Sequence, residues 1–132
     1  MNILFFLRPK HEVCTLKKES TVRQAIEKLR SCGYTAIPVL DDEGYYVGTV
    51  TEGDLLYAVV NSETPKEWEK VALLDIMHRE RSATVRVDAE ISDLLHLALT
   101  QNFVPVVDDR EAFIGIVTRQ EIMRYYSRLP IQ

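Results

Sequence analysis

The sequence predicts an α/β (α+β) fold: two tandem repeats, each a small three-stranded sheet covered by two helices, packed with pseudo-two-fold symmetry. Three observations carry this expectation. Residues 38–54 (PVLDDEGYYVGTVTEGD) come back as residues 105–121 (PVVDDREAFIGIVTRQE), with Pro38 and Pro105, Gly48 and Gly115, and Thr51 and Thr118 at one constant offset, 105 − 38 = 67. Such a period sets the architecture before any single element does. Each copy also reads as strand, acidic turn, strand, and then a Thr followed three residues later by an acid at the start of an apolar helix. Finally, a short strand and a helix precede each copy, so each half runs strand, helix, strand, strand, helix, which suits an α/β half with one covered sheet face. The other face needs burial against the second half, and Val39, Val50, Val106 and Val117 are expected to lie there.

The elements follow in order. Asn2-Ile3-Leu4-Phe5-Phe6-Leu7 is a short apolar arm, ended by Arg8-Pro9-Lys10, that packs on the body. Residues 13–16 form a first strand. Ser20 is the expected cap of a helix with Val22, Ala25, Ile26 and Leu29 on one stripe, and Gly33 is its stop. Residues 34–40 are rich in β-formers. Residues 41–44 (DDEG) carry turn chemistry. Residues 45–50 return as a strand, and residues 52–60 form a helix. A polar joint at 61–64 leads into Thr64-Pro65-Lys66-Glu67, a helix start with Pro at the first position, and a connecting helix running to about Leu74 with Trp68, Val71 and Ala72 on one side. In the second half, residues 84–87 form a strand, and Asp88 caps a helix that turns Ile91, Leu94, Leu95 and Ala98 inward. A strand at 103–107, a turn at 108–111, a strand at 112–117 and a helix at 119–126, stopped by Pro130, complete the chain. The first helices pair at 91 − 22 = 69 and the strands at 67, so the second copy lacks two residues between them and Gly33 has no counterpart. The expected organisation is therefore residues 1–61 as arm and first repeat, 62–74 as a linker helix, and 75–132 as the second repeat.

Composition bounds the function. The 132 residues carry a net charge of −4 with a hydrophobic share of 46% and a charged share of 27%, ordinary values for a globular protein. No block of Lys and Arg suggests nucleic acid as a partner. No run approaches the roughly 20 apolar residues that span a bilayer, and the N-terminus lacks the pattern of a signal peptide. Cys14 and Cys32 are the only cysteines and read as reduced thiols of a cytoplasmic protein. His11, Cys14, Cys32, His78 and His96 do not complete a metal-ligand set at recognised spacing. No catalytic triad, carboxylate pair or Gly-rich phosphate loop is visible, so no catalytic residue, no cofactor and no enzyme activity are expected.

The β-α-β-β-α repeat, the run Gly33-Tyr34-Thr35-Ala36-Ile37-Pro38-Val39-Leu40-Asp41 after a helix, and the pattern from Gly48 through Thr51 to Asp54 resemble the CBS domain. Two in tandem resemble a Bateman module, over about residues 3–127, and are similar to stand-alone CBS-pair proteins of Gram-positive-type bacteria. The resemblance implies a regulatory module that binds an adenosine-containing ligand in the cleft between its repeats: AMP, ADP, ATP, S-adenosylmethionine or cyclic di-AMP, with cyclic di-AMP leading. It also implies a homodimer that signals to an effector protein.

The same resemblance assigns roles residue by residue. Asp54 would hold the ribose diol, with Thr51 near sugar or phosphate; a Thr–Asp helix capping box alone would explain the same two residues. Backbone groups of Thr35, Ala36 and Ile37, just before Pro38, would read the adenine edge, and Phe103 and Val104 stand in the matching place. Thr15 and Thr84 would line the site from the first strands. In the second copy Thr118 and Arg119 are followed by Glu121 in place of the family's Asp. The extra bond moves that carboxylate by about 1.5 Å, against a tolerance of roughly 0.5 Å. Arg119 at a helix start suits phosphate, though an exposed surface Arg reads equally well, and Gln120 stands where relatives carry a second Arg. Two further readings stay open: a ligand-free interaction module whose apolar surfaces serve assembly, and an S-adenosylmethionine sensor.

Overall fold

A computed structural model describes residues 1–64, 67–77 and 83–128. In chain order its strands and α-helices are β1 (Arg8–Pro9), β2 (Leu16–Lys17), α1 (Val22–Cys32), β3 (Ala36–Leu40), β4 (Tyr46–Thr51), α2 (Glu52–Val60), β5 (Val85–Arg86), α3 (Ile91–Ala98), β6 (Phe103–Val107), β7 (Phe113–Thr118) and α4 (Arg119–Ser127). The β-α-β-β-α order occurs twice. The chain divides into two units, residues 14–81 and residues 1–13 with 82–132. Pro65, Lys66, His78 and Pro130, which entered the sequence reading, lie outside the described residues.

In the first-repeat unit, β2 runs parallel to β3 and β3 antiparallel to β4, giving the sheet order β2-β3-β4. The turn between β3 and β4 is held by Asp41, whose Oδ1 accepts from the backbone N–H of Glu43 and Tyr45, both at 2.9 Å. Helix α1 is capped by Thr21, not by Ser20. Thr21 Oγ1 accepts from Gln24 N at 3.2 Å and Gln24 Oε1 accepts from Thr21 N at 2.9 Å, a reciprocal capping box. Ser20 is spent elsewhere: its N–H bonds Lys17 O and its carbonyl accepts from Leu73 N. The helix ends at Gly33, whose φ of 73° is one that L side chains rarely adopt.

Leu16, Val22, Ala25, Ile37, Val39, Val50, Leu55 and Leu73 form the core of this unit. Val39 and Val50 therefore pack on α1 and α2 rather than on an uncovered face, and Val106 and Val117 do the same in the second-repeat unit beside Leu94 and Ile122. The strand period of two places Ile37 and Val39 on one face and Pro38 and Leu40 on the other. Both pairs are buried. In a run apolar on both faces, sequence gives no parity from which to choose.

The expected connecting helix is absent from the described part of that segment. Residues Glu67–Lys70 and Leu73–Asp75 form 3-10 turns. The backbone between them serves the start of α1 instead: Val22 N donates to Val71 O at 2.9 Å, and Leu73 N to Ser20 O at 3.0 Å. Trp68 and Val71 close the edge of the core.

The second-repeat unit holds a four-stranded sheet, β1-β7-β6-β5. The fourth strand comes from the arm, which sequence grouped with residues 14–61. Arg8 and Pro9 pair antiparallel with Ile116 and Gly115, while Ile3 and Phe6 enter the core of this unit. Gly115 makes the docking possible, because a Cβ there would stand 2.2 Å from the Arg8 carbonyl oxygen. Asp88 does not cap α3. Glu90 occupies the cap position without a side-chain bond, and Asp88 pairs with Arg86 at 3.6 Å on the surface.

The cysteines are also corrected. Cys14 and Cys32, expected as free thiols, form a disulfide, with Cα atoms 6.5 Å apart. The pairing of β2 with β3 brings the residues ahead of β2 level with the end of α1, a closeness that spacing in the sequence does not display.

Candidate functional site

In the first-repeat unit the chain brings Thr35, Ala36, Thr51 and Asp54 together. Ala36 pairs with Thr51 across the sheet, and Thr35 O accepts from Glu52 N at 2.9 Å, so the entry of β3 lies against the start of α2. Thr51 caps α2: its Oγ1 accepts from Asp54 N at 3.2 Å, and Asp54 Oδ2 accepts from Thr51 N at 3.0 Å. Among the described residues Asp54 is the one buried charged side chain, 7% exposed. A buried carboxylate is costly unless it is hydrogen-bonded, and the start of α2 supplies both backbone donors and the positive end of the helix dipole. Thr15 stands half-buried directly ahead of β2, and Thr35 is exposed. Ile37 and Pro38 have fully buried side chains, which leaves backbone groups as what they could offer a ligand.

The second-repeat unit assembles the equivalent set with different chemistry. Phe103 pairs with Thr118, and Arg119 N donates to Asn102 O at 3.1 Å. Thr118 Oγ1 accepts from Glu121 N at 3.1 Å, yet Glu121 turns its own carboxylate to Arg124, 2.9 Å away, so the capping box is half made. Arg119 does not present its guanidinium to open space. It donates to the carbonyls of Ala98 at 2.7 Å and Leu99 at 2.8 Å and to Asn102 Oδ1 at 3.1 Å, closing the C-terminus of α3. Cations stabilise that end of a helix. Thr84 is exposed, Phe103 half-buried and Val104 buried in the core.

Sequence reading passed over Asn102 and Gln101. Gln101 Oε1 accepts from Ala83 N at 3.1 Å, and its Nε2 donates to Ala83 O at 3.0 Å and Phe103 O at 3.3 Å. No local signal marks Gln101, because its paired bonds go to Ala83, 18 residues away in the sequence. Among the described residues no group of three or more His, Cys, Asp or Glu could hold a metal ion, and no helix is long and apolar enough to cross a membrane. An open depression of about 690 Å³ lies along α1, between Leu16, Ser20 and Lys28, and takes in none of the nucleotide-site candidates named from the sequence.

Two copies of one β-α-β-β-α half, each presenting a Thr-capped helix start beside a strand entry, define a tandem-repeat α/β protein. The chain belongs to the CBS domain family, whose model matches residues 7–61 and 73–128. It is 29% identical over 117 residues to an uncharacterized protein of Methanopyrus kandleri, covering 87% of this chain and 58% of that protein. It spans 21%, 40% and 66% of the length of three further curated relatives. Among solved structures it is similar to CBSX2 in complex with AMP, at 29% identity and a TM-score of 0.81, covering 96% of each chain. CbpB of Listeria monocytogenes in complex with c-di-AMP shares the fold, with a TM-score of 0.87, 24% identity, and coverage of 96% of this chain and 95% of that one.

Proposed function

We propose that this chain is a regulatory module, without turnover of its own, that senses an adenosine-containing nucleotide and signals to a partner protein. The observation that carries the reading is Asp54. Its carboxylate, held at 7% exposure next to the entry of β3, would accept from a ribose diol, and main-chain groups of Thr35 and Ala36 would meet a base edge. The likeness to CBSX2 with AMP supports a mononucleotide. A ligand with two identical adenosine halves would suit two identical sites, and only the first repeat closes its Thr–Asp box. AMP therefore moves ahead of cyclic di-AMP as the first ligand to test. Thr15, Thr51, Ile37 and Pro38 complete the proposed site; Thr84, Phe103, Val104, Thr118, Arg119 and Glu121 would make a weaker second one.

Calorimetry of the full chain against AMP, ATP, cyclic di-AMP and S-adenosylmethionine tests this reading. Binding of AMP or ATP in the micromolar range is expected, with the nucleotide recovered unchanged by chromatography. Flat traces for all four would leave the interaction-module reading. That alternative has its own support in the large apolar side chains exposed on α2 (Leu56, Tyr57, Val60) and α4 (Met123, Tyr126). Such faces fit the proposed homodimer of a cytoplasmic regulator.

A further inference from the structure

The disulfide and Gln101 occupy the same place in the two repeats. The first strands correspond at an offset of 85 − 16 = 69, and at that offset Cys14 matches Ala83 and Cys32 matches Gln101. In both repeats the two positions are 18 residues apart and joined, by a Cys14–Cys32 bond in the first and by paired Gln101–Ala83 hydrogen bonds in the second. Both repeats thus fasten the segment ahead of the first strand to the end of the first helix. Only the first does so with a bond that a reductant can open.

What the bond fastens is the proposed nucleotide site. Cys14 directly precedes Thr15, and Cys32 precedes the Gly33 cap from which Tyr34, Thr35 and Ala36 run into β3. The first of these segments is short: β2 is two residues long, pairs with β3 through Leu16 and Lys17, and is prolonged by Lys18 N donating to Leu40 O at 2.8 Å. Both cysteines are partly exposed, so an attacking thiolate can reach them, and neither belongs to the core cluster.

We propose that Cys14–Cys32 is a thiol–disulfide switch that sets how firmly the first repeat holds its nucleotide. The inference rests on the nucleotide reading above and adds a control to it. A dithiol reductant supplies the electrons. One of its thiolates attacks a sulfur of the bond and forms a mixed disulfide, and its second thiolate then displaces the remaining cysteine. The Sγ–Sγ bond breaks, both cysteines leave as thiols after taking up two protons, and the reductant departs as a disulfide. The fold persists on its core and the β3–β4 ladder. Thr15 and the 33–35 segment lose their common anchor, and the population competent to bind falls.

The test uses the full chain and AMP. Thiol titration of the air-equilibrated protein should find no free thiol, and two after dithiothreitol. Calorimetry should show AMP binding roughly three- to tenfold weaker in the reduced protein, with unchanged far-UV circular dichroism. A Cys14→Ala/Cys32→Gln variant installs the second repeat's hydrogen-bonded link. It should bind as the oxidised protein does and ignore dithiothreitol. Amide exchange at residues 15 and 34–36 should quicken on reduction in the wild type only. Two free thiols in the air-equilibrated protein, or equal AMP affinity in both redox states, would overturn the switch while leaving nucleotide binding intact. If neither state binds AMP, the nucleotide reading fails and the switch, as a control of nucleotide binding, fails with it.

Discussion

The first repeat joins Cys14 to Cys32, buries Asp54 in a closed capping box and ends α1 on Gly33. At the matching places the second repeat joins Ala83 to Gln101, turns Glu121 outward to Arg124 and plugs the end of α3 with Arg119. The backbone is one solution used twice, and the turns show it: Asp41 and Asp108 each accept from the N–H two and four residues on. The side chains have taken different work. In the second repeat the polar groups around the helix start are spent on one another, which stabilises the unit and leaves less for a ligand. In the first they converge on a carboxylate beside a strand entry. A duplicated scaffold can therefore fill matching positions with different side-chain chemistry.

The comparison breaks most visibly at the two links. Closing a loop of 18 residues by a disulfide contributes about 3 kcal/mol through the unfolded chain. A side-chain hydrogen bond contributes about 1 kcal/mol net. Cys14→Ala/Cys32→Ala should thus lower unfolding free energy by about 3 kcal/mol in a urea titration, and Gln101→Ala by about 1–2 kcal/mol. Equal losses would mean that both links act only as local packing.

The next contrast is between the two acids. Asp54→Ala should weaken AMP binding by about 1.5–3 kcal/mol, as expected for hydrogen bonds to a charged group. Asp54→Asn should lose affinity to a similar degree while keeping most of the helix cap. Glu121→Gln should change affinity by less than about 0.5 kcal/mol, since its carboxylate is engaged by Arg124. Calorimetry for affinity beside thermal unfolding for stability separates the roles. Asn and Asp at position 54 binding AMP alike would reduce Asp54 to a cap.

Much of this arrangement was legible in the residues. The constant spacing of Pro38, Gly48 and Thr51 from their partners exposes the repeat, and the Thr51–Asp54 spacing exposes the helix start. Strand ends and helix starts are local, so local pattern finds them. What stayed hidden depends on contacts distant in sequence. The disulfide needs β2 beside β3. The turning of Arg119 needs the carbonyls of Ala98 and Leu99, some twenty residues away. The docking of β1 needs Gly115, which the repeat already explained by its match to Gly48. Ser20 and Asp88 show a different obstacle. Each lies just ahead of the residue that takes the cap position, Thr21 in one case and Glu90 in the other, and Glu90 fills it without a side-chain bond.

The smallest expected effect sharpens the comparison best. Glu121→Asp shortens the side chain that now reaches Arg124 and returns the second repeat to the Thr–x–x–Asp spacing of the first. Thr118 already supplies half of the box by accepting from the backbone N–H of residue 121. An Asp there can complete it by accepting from Thr118 N, as Asp54 does from Thr51 N at 3.0 Å. Completing a cap contributes about 0.5–1 kcal/mol, offset by about 0.3–0.5 kcal/mol for the surface pair with Arg124. A net gain of a few tenths of a kcal/mol should register as a small rise in melting temperature. The informative readout is AMP stoichiometry. A second binding event in the variant would mean that the longer acid alone silenced the second repeat. A rise in stability with unchanged stoichiometry would place the cause in Arg119, whose guanidinium stays turned to the end of α3 whichever acid follows it.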